Sequence, residues 1–112
     1  MRILIAINEN KGINSKLSEH FGHCPYFAIY ETSSSKIKII ENKLNHLNPF
    51  SSPIDQIKKL NPDTIFSLGM GKKAIELCEK KGIKVKTGNY KTVKEVLENL
   101  EKLQDLKLDC GH

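Results

Sequence analysis

Residues 3–7 form an unbroken apolar run, Ile3-Leu4-Ile5-Ala6-Ile7, β-branched at three of its positions. So short a run without a polar position predicts a central strand covered on both faces. The pattern then turns polar from Asn8 to Cys24, with Gly12 and Gly22 and no helical period. A stretch of this kind inside a small domain predicts a functional loop, loosely held while nothing is bound to it. Beyond it, residues 26–32 read as a second strand, Ser33-Ser34-Ser35 as a turn and residues 36–42 as an antiparallel partner. In that partner Ile37 and Ile39 alternate with Lys36 and Lys38, which predicts one buried and one wet face.

From Ser52 onward the apolar spacing changes to a helical period. Ser52-Pro53-Ile54-Asp55 supplies a cap, a proline at the first helical position and an acid in the first turn. Ile54, Ile57 and Leu60 form the stripe, and Asn61-Pro62 stops it. Residues 64–68 predict a fourth strand. Residues 71–81 predict a second helix, with Met70, Ala74, Leu77 and Cys78 on one face and Gly82 as its stop. Residues 83–85 predict a fifth strand. Thr92 and Glu95 form a capping box ahead of Val93, Val96, Leu97, Leu100 and Leu103 at helical spacing. Residues 106–112 read as a tail behind a single domain of residues 1–105. The order β-β-β-α-β-α-β-α predicts an α/β protein with a mixed five-stranded sheet flanked by helices, the ribonuclease H-like arrangement.

Composition narrows the possible partners. At 112 residues, 38% apolar and 28% charged, the chain has the make-up of one globular domain. No apolar run approaches the roughly 20 residues of a membrane helix. The opening lacks the features of a signal peptide, so the expected setting is the cytoplasm, with no membrane partner. The net charge of +5 comes from 18 Lys and Arg against 13 Asp and Glu. Arg2 is the sole arginine, and the lysines are interleaved with glutamates, as at Glu76, Glu79, Lys80 and Lys81. That predicts a solvated surface in place of a nucleic-acid interface, with a positive field that favours an anionic ligand. Cys24, Cys78 and Cys110 cannot all pair within one chain and are expected as free thiols or metal ligands.

Two segments carry candidate chemistry. A two-metal nuclease is excluded first, because neither residues 3–7 nor 64–68 hold an acid and Asp63 stands alone. Gly69-Met70-Gly71-Lys72-Lys73-Ala74 matches the dinucleotide pattern G-x-G-x-x-A in form. It follows the fourth strand, however, and Lys86-Thr87-Gly88-Asn89 stands where the ribose-binding acid belongs. The other readings are a tight turn, or an anion or cluster contact through backbone N–H groups and the helix dipole. The denser segment is 18–27, Ser18-Glu19-His20-Phe21-Gly22-His23-Cys24-Pro25-Tyr26-Phe27. Its imidazoles and thiol suit borderline and soft metals and iron–sulfur units. Cys24 reads equally as a small core hydrophobe, His20 and His23 as surface residues, and Phe21 and Phe27 as core. Cys110-Gly111-His112 is a second Cys/His pair, either brought to the loop's site or frayed. Cys78 lies on an apolar helix face and reads as core, and His46 as solvent-exposed. Paired C-x-x-C zinc ligands are missing, and Cys24 has no nearby cysteine for a redox pair.

Segments 18–27 and 69–85, in this order and spacing, resemble the two hallmark segments of the dinitrogenase iron–molybdenum cofactor biosynthesis family, the NifX and NifB C-terminal type. The resemblance covers nearly the whole chain, including the opening strand and the Cys110–His112 end seen in small stand-alone members. It implies a ribonuclease H-like fold and a non-catalytic protein that binds an iron–sulfur or iron–molybdenum type cluster, with cluster donor and acceptor proteins as partners. Carried over by position, His20, His23 and Cys24 sit in the first segment and Gly69, Met70 and Gly71 in the second. The expected site has His20, Phe21, Gly22, Gly69, Met70 and Gly71 at the cluster and His23 and Cys24 as metal ligands, with Cys110 and His112 joining them where the tail reaches the loop. The alternatives are a zinc or other divalent-metal module built on Cys24, Cys110 and His112, and an interaction module with a vestigial cluster site.

Overall fold

The apolar run behind Arg2 becomes the spine of a sheet. In the computed structural model, which describes residues 1–44 and 53–106, β1 (Arg2–Ile7) is buried from Ile3 through Ile7. It pairs antiparallel with β2 (Tyr26–Glu31), Ile3 opposite Tyr30 and Ile7 opposite Tyr26. On its other side it runs parallel to β4 (Thr64–Phe66), Ile3 beside Thr64 and Ile5 beside Phe66. β3 (Lys36–Glu41) extends the sheet beyond β2 as an antiparallel edge, and Ser35 closes the turn with φ of 53°. β5 (Lys84–Thr87) runs parallel to β4, and β6 (Gln104–Asp105) antiparallel to β5. The order is β3-β2-β1-β4-β5-β6.

Because side chains alternate along a strand, β1 feeds two cores. Leu4 and Ala6 join Phe27, Ile29, Ile65 and Val85 beneath α1 (Pro53–Lys58) and α2 (Lys72–Lys80), which contribute Ile54, Ile57 and Cys78. Ile3, Ile5 and Ile7 join Ala28 and Phe66 on the opposite face, beneath α3 (Val93–Glu98) with Val93 and Val96. A sheet covered on both faces explains why residues 3–7 of the first strand carry no polar position.

Two expectations need correction. The sheet has six strands, not five, because the third helix stops early. α3 ends at Glu98, Asn99 donates its side-chain amide to Glu95 O at 2.7 Å, and a single 3-10 turn at Leu100–Lys102 leads into β6. The side-chain amide of Asn99 caps a carbonyl at the helix end, so the helix closes there. Leu97, Leu100 and Leu103 still pack on the α3 side of the sheet, so their spacing marked the buried face correctly and the element wrongly. Leu106, expected as the start of a tail, donates its N–H to Val85 O at 3.0 Å and packs against the other core.

The polar stretch after β1 is the second correction: its first half is tied down. It turns at Gly12–Asn14, with Gly12 at φ 60°, and returns along β1. Asn8 N–H donates to Lys16 O at 2.8 Å and Ser18 N–H to Ala6 O at 2.9 Å. Leu17 N–H donates to Lys91 O at 2.9 Å, and Ser15, Leu17 and Ser18 are buried. Backbone pairing, which leaves no trace in a polar sequence, does the holding. In hydrogen exchange the amides of Leu17 and Ser18 are expected to be protected nearly as well as that of Ile5, while exposed Ile13 exchanges fast. Fast exchange at all of residues 8–18 would overturn this pairing. Among the described residues no helix is long and apolar enough to cross a membrane.

Candidate functional site

β1, β4 and β5 run parallel and end at one edge of the sheet. The chain leaves β1 toward β2 on one side and leaves β4 toward β5 on the other. The connections therefore diverge between β1 and β4, and the crevice outside their carboxyl ends is the switch point at which open α/β sheets bind ligands. Residues 8–25 and 67–71 emerge there, and they contain the two chemistry-bearing segments.

The segments touch. A Cβ added to Gly69 would lie 3.2 Å from Glu19 O, so the turn packs directly on the loop backbone. Ser67 shapes the turn from beneath: its hydroxyl donates to Gly69 O at 2.7 Å and accepts from Gly69 N–H at 3.3 Å. Gly71, whose added Cβ would meet nothing within 4 Å, caps α2 in extended backbone with no side-chain bond to the helix's first N–H groups. Those groups, the helix dipole and the exposed Lys72 and Lys73 make this corner attractive to anions.

The loop divides its candidate ligands between solvent and core. His20 and His23 are exposed, whereas Cys24 retains 3% of its surface and sits in the α1/α2 core. Phe21 and Met70 pack against that same core, with the Phe21 and Phe27 rings 5.7 Å apart and tilted by 50°. Gly22, at φ 92°, is buried and stands in a backbone region that favours glycine. Burial pushes the Cys24 thiol up, opposed in part by hydrogen bonds from the backbone of Gly22, Ile7 and Cys24 itself and from Asn42. Among the described residues no group of three His, Cys, Asp or Glu side chains is placed to hold a metal ion. Cys110, His112 and His46 lie outside the described residues.

Cys78 is fully buried under α2, in the core role that its helix face predicts, and burial pushes its thiol up to about 11. The folded protein thus holds this proton more tightly than the unfolded chain, where the ordinary value is 9.0. Its stabilisation is complete below the ordinary value and is lost as pH rises through the folded one, about 2–3 kcal/mol in all. Urea unfolding at pH 8 and pH 10.5 is expected to show a shallower alkaline decline for Cys78→Ala than for the wild type. Equal declines would show that this thiol does not carry the effect.

Three residues at this end of the sheet were not singled out by sequence reasoning. Ser67 closes the turn, Asn42 clamps the loop, and Tyr90 folds back over Gly88 and packs on Phe66 at 6.2 Å. Tyr90, with Asn8, Lys16, Glu19 and Thr92, lines a cleft of about 610 Å³ beside the switch point. Asn42 and Tyr90 join distant segments, for which no local motif exists, whereas Ser67 acts two residues along the chain.

The comparisons with known proteins give the family and the fold. The family model described as dinitrogenase iron-molybdenum cofactor matches residues 1–103. No curated protein matches the chain. The crystal structure of PH0822 is similar at 28% identity, covering 94% of each chain with a TM-score of 0.77. A candidate NifB protein from Thermotoga, solved by NMR, is 22% identical with a TM-score of 0.78, over 96% of this chain and 94% of that one. The apo orange protein from Desulfovibrio gigas is 17% identical with a TM-score of 0.78, over 93% and 91% of the two chains. The last two likenesses concern the fold alone.

Proposed function

We propose that this chain, which belongs to the dinitrogenase iron–molybdenum cofactor family, is a non-catalytic carrier of an iron–sulfur or iron–molybdenum type cluster. The observation that carries the reading is the meeting of the two hallmark segments at the switch point, with Gly69 against Glu19. A sulfide-bridged anionic cluster needs few protein ligands, donors around its sulfurs and a positive surround. The Gly69–Gly71 turn, the open end of α2 and the exposed imidazoles of His20 and His23 provide donors, and Cys24 is the anchoring thiol. The cluster is cargo in this reading, received from a donor and passed to an acceptor protein in the cytoplasm. The order β3-β2-β1-β4-β5 supports the ribonuclease H-like arrangement for residues 1–105, with β6 as an addition.

Anaerobic reconstitution of the full chain tests this. Iron with sulfide should yield a protein-bound charge-transfer absorption and acid-labile sulfide, while iron or zinc alone should bind weakly. Tight zinc binding without sulfide favours the divalent-metal module. Uptake of neither overturns the carrier reading and leaves the interaction module, a reading kept open by the burial of Cys24.

A further inference from the structure

Cys24 cannot meet a cargo where it stands, and one side chain outside both hallmark segments holds it there. Asn42 follows β3 directly and extends the β2–β3 ladder, its N–H donating to Pro25 O at 3.0 Å. Its side-chain amide donates to Gly22 O at 2.8 Å and to Cys24 O at 2.7 Å, and lies 3.9 Å from Cys24 Sγ. Its Oδ1 accepts from Leu44 N–H at 2.9 Å, which fixes the plane of the amide. Both side-chain N–H bonds are thus spent on the two carbonyls that bracket His23.

We infer that Asn42 is the positioning residue of the site, a latch that keeps Cys24 Sγ folded into the core until the 20–24 segment lifts. The inference rests on the reading of Cys24 as the anchoring ligand. A cysteine with 3% of its residue surface accessible presents its thiol to a cluster only if residues 22–24 move outward. That movement separates Gly22 O and Cys24 O from the Asn42 amide. Breaking those bonds leaves β3 in place, because the Asn42 N–H bond to Pro25 O belongs to the ladder. Opening is therefore local, and the strength of the latch sets how often the thiol is presented.

The molecule contains its own control. Cys78 is also buried, on α2 in the same core, and the bonds of Asn42 run to residues 22, 24, 25 and 44, so Cys78 reports global unfolding. The experiment is native-state alkylation of the full chain carrying Cys110→Ser, with Cys24 and Cys78 read separately by peptide mass. Asn42→Asp keeps the acceptor for Leu44 and removes the donors; Asn42→Ala removes every side-chain bond. In each, Cys24 alkylation should rise about ten- to a hundredfold, the change that loss of two hydrogen bonds produces, with Cys78 unchanged. Parallel acceleration of both thiols, or an unchanged Cys24 rate, overturns the latch. Should the variants fail to fold, the wild type decides: Cys24 alkylation should depend weakly on urea and that of Cys78 steeply. Equal steep dependence means that Cys24 opens only by global unfolding, and the latch is refuted. No metal or sulfide enters the assay, so its outcome is separate from that of reconstitution.

Discussion

Phe27→Ala is expected to lower the free energy of unfolding by about 3–5 kcal/mol, the range for removing a buried aromatic ring. Phe27 keeps 1% of its surface and stands on β2 between Ala6 of β1 and Ile40 of β3. Its ring enters the core that α1 and α2 cover, where Ile54 and Ile57 are also buried. Truncation removes apolar contact and leaves a cavity that three hydrogen-bonded strands cannot collapse to fill. A domain of this size has about 5–15 kcal/mol in total, so the loss is a large share of it. The variant should also loosen the site, because the Phe21 ring rests on Phe27. Urea unfolding checks the first effect, with Ile13→Ala as the comparison, since Ile13 is 41% exposed and its truncation should cost almost nothing. Similar losses in the two variants would show that this face is not the core.

Local signals in the sequence account for much of this architecture. The continuous apolar run marked β1, the serine turn marked the β2–β3 hairpin, and alternation marked the faces of β3. Thr92 was legible as a cap because its chemistry is local: its hydroxyl accepts Glu95 N–H at 3.4 Å. The reciprocal bond differs by one residue from the capping-box rule, with Glu95 accepting from Lys91 N–H at 3.0 Å. β6 was not legible, because Gln104 and Asp105 are exposed, lack strand propensity and are held by pairing with Lys86 and Thr87. The same holds for residues 15–18, which are fixed by carbonyls of Ala6 and Lys91 that no pattern announces.

At the candidate site the sequence marked segments and left side-chain directions open. The switch-point crevice brings residues 19 and 69 together through the parallel pairing of β1 and β4, a long-range consequence of topology. Cys24 had two readings, core thiol and ligand, and the structure places it in the core. Asn42 was invisible because its partners are carbonyls, which every residue has. A polar residue placed directly after an edge strand and facing a long loop is the one signal available for it.

Cys24→Ser is expected to remove most of the cargo retained after anaerobic reconstitution, whereas Cys78→Ser lowers stability and leaves retention per folded chain unchanged. Serine preserves the size of the side chain, but its hydroxyl does not ionise near neutral pH and is a poor ligand for iron. The thiolate is the binding form, and burial holds the Cys24 thiol protonated above its ordinary range. Binding therefore releases a proton, so retention by the wild type should rise with pH toward and beyond the ordinary thiol value of 9.0 and fall as pH drops. In Cys24→Ser that thiol contribution to the pH dependence should vanish. Exchanging His20 or His23 for alanine should weaken retention less than loss of the thiol, because both stand at the exposed rim of the crevice. The measurement is cluster absorbance and acid-labile sulfide per folded chain across a pH series, with folding followed by circular dichroism. Wild-type retention in Cys24→Ser, at every pH, would move the anchor away from Cys24 and leave the Gly69–Gly71 turn and the His20 and His23 imidazoles as the groups that hold the cluster.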